Sequence, residues 1–360
     1  MNILSLLPEE LTALLCELGE PKYRSGQIFS QLHKGILLDE MTNVGKATKE
    51  KLRERLDCSL PTVKRKLISA LDGTVKYLFS LADGNCIESV IMKYEHGYTI
   101  CVSSQVGCRM GCKFCASTVA GRVRDLEAGE ILGQIISAQR DLGIRISNVV
   151  MMGIGEPLDN YDNTVKFLKL VNLPDGVNIG YRHISLSTCG LVPKIYELAK
   201  LDMQITLSVS LHAPDDETRS EIMPVNKSYG VDKLLDACRE YYKATGRRIS
   251  FEYTLISGKN DTIENALKLA EVLNRKLRTR RESMPIHVNL IPVNEVTESG
   301  FKSSDKSAVK RFAATLESKG IRATVRRTLG SDINASCGQL RREDASEGAS
   351  EGAGADAGEK

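Results

Sequence analysis

Eight residues, Cys108-Arg-Met-Gly-Cys112-Lys-Phe-Cys115, constrain this chain more than any other stretch. They follow a strand-like run and set three thiols at the spacing C-x3-C-x2-C. Three thiolates in so short a loop can hold three corners of one metal cluster. A cubane iron–sulfur cluster normally takes four cysteine ligands, so three leave one iron open to another molecule. A zinc site usually shows two C-x2-C pairs or a Cys/His mix, and the histidines nearest in sequence are His96 and His183. The motif alone leaves a zinc knuckle and unligated cysteines as alternatives.

The chain of 360 residues is long enough for one large α/β domain with a smaller appendage. Its ten cysteines are unevenly spread, unlike a secreted disulfide framework. The first residues carry no basic leader, and no apolar run approaches the length of a membrane span. A cytoplasmic protein with no membrane partner is therefore expected. The formal charge of +3 hides a polarity: residues 343–360 hold six acids against Lys360, so the rest of the chain stands at +8. Such a body permits a polyanionic partner without demanding one.

Taken in order, residues 1–60 read as a helical accessory domain with a basic side. Helices are expected from Pro8 to Leu18, over 23–32 and over 47–56. RNA binding and plain packing are both open to it. From 61 to 97 the hydrophobic period changes to two, with strand-like runs at 67–71, 75–81 and 86–91. Asp72-Gly73, Asp83-Gly84-Asn85 and His96-Gly97 supply turn chemistry between them, which predicts a small antiparallel β extension. Over 98–342 strands and helices alternate. Strands are expected at 98–103, 147–152, 183–188, 205–211, 250–256, 286–291 and 322–328. Helices are expected at 127–142, 160–171, 192–201, 231–245, 261–277 and 305–319. The expected fold class is α/β, a partial (βα)6 barrel whose chemistry sits at the carboxyl ends of its strands. Residues 343–360 have nothing to bury and read as a disordered acidic tail.

Polar residues recur at those strand ends. Gly153-Ile-Gly155-Glu156-Pro157 combines close backbone approach with a carboxylate able to accept from an ammonium group. Ser187-Thr-Cys-Gly190, Ser210-Leu211-His212 and Pro292-Val-Asn294 follow later strands. Each alone is more often a cap or turn than a ligand, but four on one rim are harder to dismiss.

These pieces together resemble one family. Cys108, Cys112 and Cys115 have the spacing of radical S-adenosylmethionine (SAM) enzymes. From about residue 8 to 342 the chain is similar to the RlmN family of dual-specificity RNA methyltransferases. The similarity is carried by Pro21-Lys-Tyr-Arg-Ser-Gly-Gln-Ile28, Cys101-Val-Ser-Ser-Gln-Val-Gly-Cys108, Cys112-Lys-Phe-Cys115 and Gly153-Ile-Gly-Glu-Pro-Leu158. Ser210-Leu-His-Ala-Pro214, Asn289-Leu-Ile-Pro-Val-Asn294 and Ala335-Ser-Cys-Gly-Gln-Leu340 complete it.

The resemblance implies methylation of adenosine carbon 2 in 23S rRNA and in tRNA beside the anticodon. It implies a [4Fe-4S] cluster on Cys108, Cys112 and Cys115, and two SAM molecules per turnover. Gly155, Glu156, Ser187, Ser210, Leu211, His212 and Asn294 would bind SAM. Cys337 would carry the methyl group, Cys101 would be its disulfide partner, and Glu88 the acid/base. An electron donor such as flavodoxin or ferredoxin, and a monomeric enzyme, are further expectations. A related Cfr-type activity at carbon 8 would use the same catalytic residues. A zinc-stabilised RNA-binding module without catalysis is the rival from another class. RNA contacts are expected from Lys64-Arg65-Lys66, Arg247-Arg248, the run Arg275 to Arg281, and Arg322, Arg326 and Arg327. Two positions depart from the family pattern: Arg122 stands where an apolar residue is expected and Asp125 where Asn is usual.

Overall fold

The computed structural model describes residues 1–278, 283–293, 300–335, 338, 340 and 341. Asn294, Arg280, Arg281, Cys337 and the acidic tail lie outside the described residues.

Three helices open the chain: α1 (Pro8–Glu17), α2 (Tyr23–His33) and α3 (Lys46–Arg55). Pro8 sits in the first turn, where a missing N–H costs nothing, and Glu10 accepts from the Leu7 N–H at 2.7 Å. Their buried Leu11, Leu15, Ile28, Phe29 and Leu52 belong to the same apolar core as the rest of the molecule. The joint is tight because glycines face it: a Cβ at Gly133 would stand 2.6 Å from Pro61 Cδ.

The next strands are β1 (Thr62–Ile68), β2 (Val75–Ser80), β3 (Cys86–Tyr94) and β4 (Gly97–Cys101), followed by a hairpin of β5 (Gln105–Gly107) and β6 (Arg122–Asp125). The alternating part comprises α4 (Ala128–Leu142), β7 (Ile146–Met151), α5 (Tyr161–Asn172), β8 (Ile184–Thr188), α6 (Val192–Ala199) and β9 (Thr206–Ser210). It continues with α7 (Asp216–Ile222), α8 (Val231–Thr245), β10 (Ile249–Leu255), α9 (Ile263–Leu277), β11 (Ile286–Pro292), α10 (Lys306–Ser318) and β12 (Arg322–Val325).

All strands except β5 and β6 join one sheet in the order β1-β2-β3-β4-β7-β8-β9-β10-β11-β12. Pairs from β1 to β4 are antiparallel, and every pair from β4–β7 to β11–β12 is parallel. The expected extension is thus no separate sheet, because β4 belongs to it and to the partial barrel alike. β1 begins earlier than the 67–71 run. It is an edge strand carrying Lys64-Arg65-Lys66, so no hydrophobic alternation announces it.

The barrel's two faces differ in kind. Leu207, Val209, Phe251, Tyr253, Val288 and Leu290 are buried in the main core, with the Tyr253 ring against Phe312 of α10. The alternate residues of the same strands bond to one another across the other face. Ser185 Oγ meets Ser208 Oγ at 3.0 Å, Ser250 Oγ donates to Glu252 Oε1 at 2.9 Å, and Asn289 Nδ2 donates to Glu252 Oε2 at 2.7 Å. A closed barrel is usually filled by branched apolar side chains. Here serines, Asn289 and Glu252 make that face polar.

Candidate active site

The cysteine loop leaves β5 and returns through β6. At Gly107 (φ +79°) a Cβ would run into the Gly121 carbonyl, so only glycine lets the two ends of the loop close. The Cys108 N–H donates to Gly121 O at 3.0 Å, the Lys113 N–H to Ile222 O at 3.0 Å and the Cys115 N–H to Cys112 O at 3.1 Å. The loop's shape is thereby set by backbone bonds. Cys108 and Cys112 are buried and Cys115 is half-buried, against an apolar wall that includes Met110, Phe114, Ile222 and Met223. Burial, then the neighbouring Cys115, Glu156 and Asp159 charges, pushes the Cys108 thiol up to about 12, against the pull of a backbone hydrogen bond from Met110. Cys112 is pushed up by burial and by Cys115 and Cys108.

Thiolates so placed repel each other and need a cationic centre, which fits a cluster ligand set. No three His, Cys, Asp or Glu side chains among the described residues converge closely enough to hold a single metal ion, as a zinc knuckle would require.

The Gly153–Pro157 turn packs closely against the chain itself. A Cβ at Gly153 would stand 2.6 Å from Val102 O, and one at Gly155 would stand 2.7 Å from Gln105 Cβ. The glycines therefore admit the chain's own 102–105 segment. Glu156 is buried, which raises its carboxyl above the usual range, and it accepts from the Cys189 N–H at 2.6 Å and the Leu158 N–H at 3.0 Å. The Thr188 hydroxyl and the Cys189 thiol also bond to it, so the chain itself engages most of its roughly four acceptor sites.

Ser187 and Ser210 are half-buried at the ends of β8 and β9, and their hydroxyls make no hydrogen bond to a described residue. The Leu211-His212 turn is saturated on its backbone, with both N–H groups donating to Glu252 O at 3.1 Å. His212 holds φ +56°, and its Nδ1 accepts from the Thr254 N–H at 2.9 Å. Burial, then the Arg219 charge, lowers it to about 3, so the ring is neutral with its proton on Nε2. What this turn can offer a ligand is the Ser210 hydroxyl and that Nε2–H.

Arg219 was not foreseen. It is fully buried on α7, and its guanidinium donates to the carbonyls of Leu211 (3.0 Å), Ser210 (3.0 Å) and Cys189 (2.7 Å) and to Asn226 Oδ1 (2.9 Å). One cation thus pins the ends of β8 and β9 beside the cysteine loop, and every one of these acceptors is neutral. The signal was Asp215, whose side chain caps α7 by accepting from the Thr218 N–H at 2.8 Å. Arg219→Met is expected to cost at least about 3 kcal/mol in urea unfolding, because three buried carbonyls lose their donor. An unchanged unfolding midpoint would show that the strand ends hold without it.

Glu88 and Cys101 lie on one face of the β3–β4 pair, where Val90 is the register partner of Cys101. That face is covered by the chain's last described segment. Ala335 and Leu329 pack with Val90, Met92 and Cys101, and Leu340 packs with Leu78 and Cys86. Asp332 accepts from Ser69 Oγ at 2.6 Å and from the Ala70 N–H at 2.8 Å. Glu88 accepts from the Gly338 N–H at 2.8 Å and from the Arg341 N–H at 2.6 Å. A Cβ at Gly338 would stand 3.0 Å from Ser117 N, just past the cysteine loop. The neighbours of residue 337 are therefore seated between Cys101, Glu88 and that loop.

The two departures from the family pattern compensate each other, since Arg122 Nη1 pairs with Asp125 Oδ1 at 2.9 Å. Gln105 Nε2 donates to Asp125 (2.8 Å) and Asp159 (3.0 Å), and Arg109 of the cysteine loop pairs with Asp159. The basic clusters divide. Lys66 is paired with Asp141, and Arg275 and Lys276 with Asp232 and Asp236, which satisfies them locally. Arg326 and Arg327 are exposed beyond the edge strand β12, leading into the 330–341 segment.

Comparison with known proteins agrees with this geometry. Residues 102–270 match the family model described as Radical SAM superfamily. Residues 1–57 match the ribosomal RNA large subunit methyltransferase N-terminal domain. The chain is 53% identical over 343 residues to the probable dual-specificity RNA methyltransferase RlmN of Clostridium novyi, covering 95% of this chain and 98% of the relative. The corresponding protein of Clostridium perfringens strain 13 is 54% identical, with 95% and 96% covered. A crystal structure of a radical SAM methyltransferase from Sphaerobacter thermophilus superposes with a TM-score of 0.87 at 41% identity, covering 94% of this chain and 98% of that one.

Proposed function

Because the chain belongs to the RlmN family of radical SAM RNA methyltransferases, we propose that it methylates carbon 2 of adenosine in 23S rRNA and beside the tRNA anticodon. The observation that carries this reading is the seating of Ala335 and Gly338, one against the Cys101 wall and the other on Glu88 beside the cysteine loop. A nucleophile between them would reach the interior, a carboxylate and a second thiol at once.

Carbon 2 of adenine is electrophilic, so it cannot attack a sulfonium methyl directly. When bound, a [4Fe-4S] cluster on Cys108, Cys112 and Cys115 together with two SAM molecules per turnover supplies the methyl group and the radical chemistry. Glu156, Ser187, Ser210 and the His212 turn, with Gly155 and Asn294, hold SAM. Cys337, as a thiolate, takes the methyl group and becomes its carrier. Glu88 accepts the ring proton, and Cys101 takes the Cys337 sulfur into a disulfide as the product is freed. An external reductant such as flavodoxin or ferredoxin provides the electron. The protein works as a monomer in the cytoplasm, and no helix among the described residues is long and apolar enough to cross a membrane. Arg326 and Arg327 meet RNA phosphates near the target, and a base inside folded RNA is extruded to reach the interior.

The N-terminal match to a ribosomal RNA methyltransferase domain, and relatives named as dual-specificity enzymes, favour carbon 2 over a Cfr-type carbon 8 reaction. The test is mass spectrometry of nucleosides from RNA treated with reconstituted enzyme. 2-Methyladenosine is expected, and 8-methyladenosine or unmodified adenosine would refute the assignment.

A further inference from the structure

Lys76 of β2 is fully buried, and the chemistry above does not use it. Its Nζ stands 3.2 Å from Glu88 Oε2 and donates to Asn334 O at 2.9 Å. Glu88 is equally buried, on the neighbouring strand. Taking an ammonium and a carboxylate out of water is costly, and apolar residues of similar volume often serve stability as well. A packing role does not account for this pair.

The acceptor sites of Glu88 can be counted. An ionised carboxylate offers about four. Gly338 N–H, Arg341 N–H and Lys76 Nζ occupy three of them. Among the described residues' bonds about one site remains, on a face that also carries Cys101 and receives Ala335. A buried carboxyl with no cation beside it favours its neutral form and then has no charge with which to draw a proton.

We infer that Lys76 is a positioning residue of the reaction, keeping Glu88 ionised as proton acceptor while tying down the segment that carries Cys337. The inference rests on the proposed role of Glu88. In the step concerned, the adenine adduct, formed as a radical, returns its surplus electron to the oxidised one-electron donor, its carbon 2 C–H bond breaks, and the proton passes to the remaining acceptor site of Glu88. The bonding pair stays in the ring, and Lys76 keeps its own proton throughout. Among the described residues, the charged and titratable groups that face Glu88 are Lys76 from β2, Cys86 on β3 itself and Cys101 from β4, with Arg341 of the last segment reaching it through its backbone N–H.

The test uses the full-length, cluster-loaded enzyme with labelled RNA, under anaerobic conditions and over a range of pH. In Lys76→Met the side-chain length is kept and the charge removed, and a protonated Glu88 still accepts from Gly338 and Arg341. Its covalent protein–RNA adduct should outlast that of wild type at least about tenfold at neutral pH, because a neutral carboxyl draws no proton. Alkaline pH should restore its decay, because the carboxyl is then ionised again. Lys76→Arg keeps the charge and should keep the wild-type pH dependence. Decay of the Lys76→Met adduct with a wild-type pH profile would overturn the inference. If Lys76→Met does not fold, a displaced profile in Lys76→Arg would overturn it and an undisplaced one supports it. Methylation of Cys337, read by peptide mass, separates the two layers. If wild type never methylates Cys337, the proposed reaction itself fails and the role of Lys76 falls with it.

Discussion

Cys101→Ala is expected to stop the reaction after the carbon–carbon bond has formed, leaving RNA covalently attached to the protein. Cys101 ends β4, is 4% exposed, and shares a small apolar cluster with Val90, Met92 and Ala335. Ala335 is two residues from Cys337 in sequence. In the proposed reaction a methyl group held on the Cys337 sulfur ends as a methylene bridge between that sulfur and the base. To break it, the Cys101 thiolate attacks the Cys337 sulfur, an S–S bond forms, and the S–C electron pair goes to the methylene carbon, which takes a proton. Without that thiolate the bridge persists. A denaturing gel with labelled RNA should show a shifted protein band in Cys101→Ala and none in Cys337→Ala. Normal turnover by Cys101→Ala, with no trapped species, would reduce Cys101 to a packing residue.

Cys112→Ala is expected to abolish cluster binding and all RNA methylation while leaving the protein folded. Cys112 is buried, but the loop is held by backbone bonds from Cys108, Lys113 and Cys115 and by Thr118 Oγ1 on the Cys112 and Cys115 carbonyls. Alanine keeps those bonds and removes one sulfur, a change worth about 1 kcal/mol of packing. Iron and sulfide after anaerobic reconstitution should fall to background, with unfolding essentially unchanged. A full iron complement would remove Cys112 from the ligand set. Colour gives a quick reading, since reconstituted wild type should be brown and a zinc protein would be colourless.

The barrel was legible because its strands are short apolar runs separated by helices of clear 3.6-residue period, such as α9 with its buried Leu269 and Leu273. What escaped notice was short or charged. The β5–β6 hairpin is a few residues per strand, and α7 reads as a polar loop until Arg219 is seen inside the protein. The cysteine loop was legible from its spacing as a candidate ligand set. The role of the β extension was not. Lys76, Glu88, Ser69 and Asp72 contact a segment some 250 residues further on, and no local pattern encodes so distant a partner. Arg122 and Asp125 lie only three residues apart, yet their pairing read as two separate oddities.

In the proposed reaction the methyl group reaches RNA through a cysteine sulfur and a hydrogen-abstraction step. This route is tested most directly by supplying SAM whose methyl group is fully deuterated and weighing the methyladenosine formed. Loss of one hydrogen to the radical and later gain of one proton from solvent predict a product methyl with two deuteriums and one protium. A product methyl that keeps all three deuteriums would mean transfer in one piece, and would contradict this account.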